Sequence, residues 1–137
     1  LPVTVAHELA HQRGVAAEQE ANFVGVMAAT AGGNAAYQYS GWLFGYLHLS
    51  NALYSADPDL ARASYAALCA EAQADMADNN AYWKQWEGPV KETGEKVYTA
   101  FLQGYGQELG MRSYGACVDL LVEEFLPYTT AGGLAAD

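Results

Sequence analysis

The stretch His7-Glu8-Leu9-Ala10-His11 holds the side chains whose types and spacing point most directly to chemistry. On an α-helix, residues four positions apart lie one turn apart on one face, so both imidazoles can reach one metal ion. Zinc is the usual partner of such a pair, at about 2.0–2.1 Å from each nitrogen. Glu8 projects beside the pair, where it can take a proton from a zinc-bound water and pass it to a leaving amine. The spacing therefore predicts a site for one Zn²⁺, with His7 and His11 as ligands and Glu8 as the general base.

A catalytic zinc site also needs a third protein ligand. Glu18 and Glu20 follow a turn at Gly14, which would bring the next helix back over the first and aim a carboxylate at the metal. We expect Glu18 to be that ligand, because Asn22 lies one turn later on its face and can hydrogen-bond a zinc-bound histidine. Glu20 points about 200° away from Glu18 on a helix and stays the alternative ligand. Without a metal, both acids would only complement the dipole at the start of that helix.

Peptide hydrolysis further needs a group that stabilises the negative oxygen of the transition state, often a tyrosine or a histidine. Because the chain has ten tyrosines, any one of them is more often a packed core residue than a catalytic group. A histidine among apolar residues is likewise more often structural than a ligand. The candidates are Tyr37, Tyr39, Tyr46, His48 and Tyr114.

The elements that must position these side chains are predicted to be helices. The residue mix of Ala, Leu, Glu, Gln and Met, with few β-branched residues and no sustained alternation, predicts an all-α compact bundle of about six helices. Asp57 is the expected N-cap of the fourth helix, and the third is apolar on every side, which predicts a central, buried position. The predicted helices cover 2–13, 16–30, 35–54, 57–78, 90–105 and 114–125, with an interruption at Asn79-Asn80 and a stop at Pro127.

The chain of 137 residues, 52% of them apolar, fits one domain with its own core. We expect that domain to span 1–128, followed by a flexible tail over 129–137. No apolar run approaches the ~18 residues that a membrane-spanning helix needs, so this chain is predicted to be soluble. Cys69 and Cys117 are expected to be small buried residues on helices, although one bridge between them stays open.

The charge of the chain excludes one class of partner. Six Lys and Arg against sixteen Asp and Glu give a formal net charge of −10, and the cations are scattered. Phosphate backbones are bound by clustered cations, so no nucleic-acid partner is expected.

Several stretches in the right order resemble a bacterial family of unknown function, family 3810. They are 5–14, 18–23, 39–41, 51–53, 105–107, 113–115 and 118–121. The resemblance implies a metallopeptidase-like core in a membrane-associated protein whose spanning segments precede this chain, which also fits the abrupt start at Leu1-Pro2. The side of the membrane stays open. Because Tyr39 and Tyr114 lie in matching stretches, the resemblance favours them among the oxyanion candidates.

The run Glu18-Gln19-Glu20-Ala21-Asn22 is more distantly similar to the E-x-x-A-D element of gluzincins, in which the first Glu is the third zinc ligand. That similarity implies the same role for Glu18, although Asn22 stands where those families usually carry Asp. The implied function is zinc-dependent hydrolysis of a peptide or protein substrate. The alternative is a catalytically inactive zincin-like domain with a structural or interaction role, and a helical scaffold without metal is a third interpretation. We expect little proteolysis from this chain alone, because it brings no upstream strand to align a substrate.

Overall fold

The computed structural model describes residues 1–84 and 114–131, and within these residues it contains six α-helices and no strand. The all-α class predicted from the residue mix is therefore confirmed. The predicted helix over 90–105 and the tail residues 132–137 lie outside the described part. The helices are α1 (Pro2–Gln12), α2 (Glu18–Ala31), α3 (Ala35–Ala56), α4 (Pro58–Ala66), α5 (Ala70–Lys84) and α6 (Tyr114–Ala131).

The described residues form two compact units, one of residues 1–52 with 114–131 and the other of residues 53–84. In the first unit α1 packs on α2, and α2 packs on α6. The centre of its core is Val26 of α2 with Cys117 and Leu121 of α6, all almost wholly buried. Burial raises the pKa of the Cys117 thiol to about 11, so this cysteine is an inert packing residue at neutral pH. The predicted domain extent, 1–128, stays a prediction.

A glycine turn joins α1 to α2. Gly14 has a φ of +99°, a conformation that residues with a Cβ rarely adopt, and its amide donates to the His11 carbonyl at 3.0 Å. The amide of Val15 donates to the Ala10 carbonyl at 3.1 Å, which closes the end of α1. The turn predicted at Gly14 is thus confirmed, and α2 follows after a few residues.

The third helix is not the buried central helix that its composition predicts. Its buried residues are the small ones, Ser40, Gly41 and Gly45. Trp42, by contrast, is 52% exposed and Tyr39 is 42% exposed. The reason is close backbone approach, since a Cβ at Gly41 would lie only 2.9 Å from Thr30 Cγ2 of α2. The packed face of α3 is therefore the one with small side chains, and the average hydrophobicity of the helix does not indicate which face that is.

In the second unit, the start of α4 is as predicted and its end is not. The Asp57 side chain accepts hydrogen bonds from two amides of the first turn, as an N-cap does. The predicted continuous helix to about residue 78 is broken after Ala66. Two local bonds stabilise the break, because the Gln73 amide nitrogen Nε2 donates to the Leu68 carbonyl at 2.8 Å and the Tyr65 hydroxyl donates to the Gln73 carbonyl at 3.1 Å.

Three further expectations differ from the structure. Asn79-Asn80 lie inside α5, because the helix preference lost at each Asn is under ~1 kcal/mol and flanking alanines offset it. Pro127 lies inside α6, so the predicted stop is wrong and the helix covers the first three residues of the predicted tail. Cys69 is exposed and lies between α4 and α5, whereas Cys117 is buried as expected. Both cysteines are free thiols.

Within residues 1–84 and 114–131, no helix combines the length and the apolarity that crossing a membrane requires.

Candidate metal centre

Two imidazoles face each other on one side of α1. Nε2 of His7 lies 3.0 Å from Nε2 of His11, and the rings meet edge to face with centroids 4.6 Å apart. Their separation of four residues on an uninterrupted helix produces this arrangement. Both side chains are partly buried, with 14% of His7 and 26% of His11 exposed.

The third donor comes from the first residue of α2. The Glu18 carboxylate places Oε2 at 3.3 Å from His7 Nε2 and Oε1 at 3.5 Å from His11 Nε2. Donor atoms of the three residues all lie within 4.8 Å of one another, and among the described residues no other His, Cys, Asp and Glu side chains form such a group. The short glycine turn is what brings the start of α2 opposite the end of α1.

The three residues fit a zinc ion. In a tetrahedral site with bonds of about 2.0–2.1 Å, neighbouring ligand atoms are about 3.3 Å apart. The two Nε2 atoms are 3.0 Å apart, His7 Nε2 lies 3.3 Å from Glu18 Oε2, and His11 Nε2 lies 3.5 Å from Glu18 Oε1, so the two carboxylate distances involve different oxygens. Two imidazole nitrogens and one carboxylate also make the donor set of many catalytic zinc sites, which leave a fourth position for water or substrate.

A backbone carbonyl fixes which nitrogen of His11 can bind a metal. Nδ1 of His11 lies 2.7 Å from the Val15 carbonyl oxygen, which can only accept a hydrogen bond. Nδ1 therefore carries the proton, and in the neutral ring Nε2 keeps a lone pair aimed at His7 and Glu18. This contact could not be predicted from the sequence, because every residue has a carbonyl oxygen and its direction does not depend on residue type. Only the position of Val15, directly after the glycine turn, hints at it.

Glu8 is an exposed neighbour of the cluster on α1. It lies three residues before His11, which places both side chains toward one side of the helix. Glu8 is therefore a solvent-accessible carboxylate on the helix that carries both histidines. Its role as a base stays a prediction.

The remaining predicted residues lie on α2, α3 and α6. Asn22 is buried one turn after Glu18, whereas Glu20 is exposed and is not part of the donor group. Tyr39 lies exposed on α3, and Tyr114 is the first residue of α6, with its side chain outside the described part. Tyr37 and Tyr46 also lie on α3. The role of these tyrosines toward an oxyanion stays a prediction.

His48 is absent from the donor group among the described residues. Its ring packs edge to face on Phe44, with centroids 4.6 Å apart, and its buried Nε2 has no hydrogen-bond partner in the described part. Burial lowers the pKa of His48 below its ordinary value, so it is a neutral packing residue at pH 7. The structural interpretation of this histidine is the one that the contacts favour.

Two small residues, Gly25 and Ser40, contact α1, and the sequence alone did not indicate either of them. A Cβ at Gly25 of α2 would lie 3.2 Å from the backbone nitrogen of His7, so α2 touches α1 at the ligand itself. The Ser40 hydroxyl accepts a hydrogen bond from the Val3 amide at 3.0 Å. Both contacts join residues that are distant in sequence, so no local sequence pattern predicts them.

The helices and the cluster together define an all-α chain with a His-His-Glu donor group on two adjoining helices. The chain belongs to the family described as Protein of unknown function (DUF3810), whose model matches residues 1–122. This confirms the family resemblance seen in the sequence. Neither a curated protein nor a solved structure matches the chain.

Proposed function

We propose that this chain carries the metal site of a zinc-dependent metallopeptidase, with His7, His11 and Glu18 as ligands and Glu8 as the general base. The observation that supports it most directly is the convergence of two imidazole nitrogens and one carboxylate. The nitrogens are 3.0 Å apart and lie 3.3 and 3.5 Å from one or the other carboxylate oxygen, which is close to the spacing of ligands around tetrahedral zinc. The histidines and the glutamate come from an HExxH helix and the start of the next helix, and Val15 orients one of the rings.

Bound zinc would supply Lewis-acid polarisation of the substrate carbonyl and lower the pKa of water to about 7. The chain's own residues supply the rest. The Glu8 carboxylate takes a proton from the attacking water and donates it to the amine nitrogen that leaves as the peptide C–N bond breaks. Tyr39 or Tyr114 would donate a hydrogen bond to the oxyanion, and Asn22 would hydrogen-bond a ligand histidine.

The substrate in this proposal is a peptide or a protein. The net charge of −10 disfavours nucleic acid as a partner. Membrane association belongs to segments outside this chain, and its support is the family resemblance noted in the sequence. Reading the parent gene checks this point, because a parent without hydrophobic segments ahead of this region would contradict it.

The test of the metal site is zinc-to-protein stoichiometry after dialysis against a weak chelator, using protein purified without a histidine tag. We expect one zinc per wild-type chain, none for His7→Ala and little for Glu18→Ala. Glu20→Ala is the matched control and should keep the metal. A full site in Glu18→Ala with an empty one in Glu20→Ala would reverse the ligand assignment, and a wild-type chain without zinc would overturn the proposal.

Activity separates the enzyme from the catalytically inactive zincin-like domain. In a longer protein that contains this chain, chelator-sensitive peptide cleavage should disappear in Glu8→Gln while the zinc content stays at the wild-type value. The reason is that the amide cannot accept the proton but is not needed as a ligand. Occupied zinc with no cleavage of a broad peptide library would favour the structural or interaction role.

A further inference from the structure

The first turn of α1 contains a backbone amide whose partner comes from another helix. The Val3 amide donates to Oγ of Ser40 in α3 at 3.0 Å, across 37 positions of sequence. Val3 is 1% exposed and Ser40 is 2% exposed, so water has no access to replace the bond.

Other donors of that turn do not need such help. The first amides of a helix have no carbonyl partner within it. Pro2 has no amide hydrogen, and the Thr4 amide donates to the Leu1 carbonyl at 3.0 Å. Leu1 stands at the N-cap position, where its side chain offers no acceptor. The Val3 amide is therefore satisfied by α3, from outside the helix.

The same part of α3 also contacts the helix that carries the third donor. Gly41 follows Ser40 and packs so closely on α2 that a Cβ would lie 3.0 Å from the Ala29 side chain. On α2, Gly25 touches the backbone of His7, which lies one turn after Val3 on the same face of α1. Each pair of these three helices is therefore in contact, and one of the contacts lies at the backbone of His7.

We propose that Ser40 is a positioning residue for the donor group: its hydroxyl fixes the start of α1 and thereby the direction in which His7 and His11 face Glu18. The role toward zinc rests on the proposed function, whereas the capping role does not. Ser40 touches neither substrate nor metal and acts through the backbone of α1.

Three variants test this role. Ser40→Ala removes the acceptor. Ser50→Ala is the matched control, since it removes a hydroxyl from the same helix whose bond, to the Leu47 carbonyl at 3.2 Å, is local. The double variant Leu1→Ser with Ser40→Ala returns an acceptor from the N-cap position of α1 itself, where serine is among the preferred residues.

The metal readouts are zinc affinity, by chelator competition, and the visible absorption spectrum of the cobalt-substituted protein. Ser40→Ala should bind zinc about tenfold more weakly and alter the cobalt bands, as loss of a supporting contact typically does. Ser50→Ala should match the wild type, and the double variant should recover most of the lost affinity. If Ser40→Ala lowers only the melting temperature and leaves affinity and spectrum unchanged, Ser40 is merely structural and the proposal is overturned.

A metal-free readout keeps this inference separate from the zinc proposal. Amide hydrogen exchange of Val3 and His7 in the protein without metal should be about tenfold faster in Ser40→Ala and unchanged in Ser50→Ala. A wild-type chain that binds no zinc would sink the metallopeptidase proposal and the metal-positioning role together, and the exchange rates would still decide the capping role. Unchanged exchange in Ser40→Ala would overturn both roles of Ser40.

Discussion

Two helices of this protein have similar sequences at their starts, but different residues accept the hydrogen bonds of their first-turn amides. Both α1 and α4 have proline at the first helical position, Pro2 and Pro58. Asp57 caps α4 from the position just before, and its Oδ1 accepts from two amides of the first turn at 2.9 and 3.1 Å. Leu1 makes no such bond to α1, and the acceptor there is the Ser40 hydroxyl of α3.

The difference is whether the first amides of a helix are satisfied by a residue next to them in sequence or by a residue of another helix. The start of α4 is specified by the consecutive residues Asp57, Pro58 and Asp59. The cap therefore needs no contact with another helix. The start of α1 is completed only when α3 is packed against it. The helix that carries the HExxH motif is therefore the one whose geometry depends on the surrounding fold, which suits a site that needs fixed donor positions.

The largest effect is expected at Gly25, where the backbones of α1 and α2 approach closely. Gly25→Val should push α2 away from the backbone of His7, costing about 3 kcal/mol of unfolding free energy and most of the zinc affinity. Urea unfolding and chelator competition measure the two losses. Gly115→Val in α6 is the control, because a Cβ there meets nothing within 4 Å, and it should change stability by under ~0.5 kcal/mol. Equal losses in both variants would show that the close approach of Gly25 to His7 is not responsible.

The next effect compares the two caps directly. Ser40→Ala leaves a buried amide without a partner and should cost about 2 kcal/mol in urea unfolding. Asp57→Ala exposes amides that water can satisfy, so it should cost about 1 kcal/mol. Zinc affinity should stay at the wild-type value in Asp57→Ala. A drop in zinc affinity there would contradict the claim that the α4 cap is local.

A smaller effect concerns the acid sensitivity of the first unit, which contains His48. Because burial lowers the pKa of His48, the unfolded chain binds that proton more readily than the folded one. Stability from this group is full above the ordinary histidine pKa of about 6.5 and is lost as the pH falls below it toward the lowered folded value. Metal-free wild-type protein should therefore lose more unfolding free energy than His48→Gln between about pH 7.5 and 5.5. Parallel pH profiles for the two proteins would refute this.

The smallest effect is expected at the exposed ion pair of α4. Arg62 donates to the Asp59 carboxylate one turn earlier, with both side chains largely in solvent. Arg62→Ala should change the unfolding free energy by about 0.3 kcal/mol, and salt should reduce the difference further. A loss comparable to that of Asp57→Ala would mean that the first turn of α4 needs more than its cap.

Features encoded over a few residues were predictable from the sequence. The His7–His11 spacing, the Gly14 turn and the Asp57 cap all rest on neighbours within one helical turn, and the structure contains all three arrangements. The position of Glu18 opposite the histidines also follows from a short turn between two helices. The all-α class needed only the residue mix.

Features that depend on distant backbone could not be predicted. The role of Ser40 rests on a bond across 37 positions, and the contact of Gly25 with His7 depends on how two helices cross. The expected burial of α3 failed for the same reason, since its packed face is set by where α2 approaches. Two local features were missed as well: the break after Ala66, which rests on side-chain bonds of Tyr65 and Gln73, and the continuation of α6 through Pro127.

The glycine turn described above has a consequence for the order in which this chain takes shape. All three donor residues lie within 7–18, and a connection as short as 13–17 closes in roughly 10–100 ns. Cys117 and Leu121, which bury Val26, are made about 86 residues after the end of α2, or about 4 to 17 s later at 5–20 residues per second. For that interval Val26 lacks the two residues that bury it, so the core of the first unit cannot form until α6 has been synthesised.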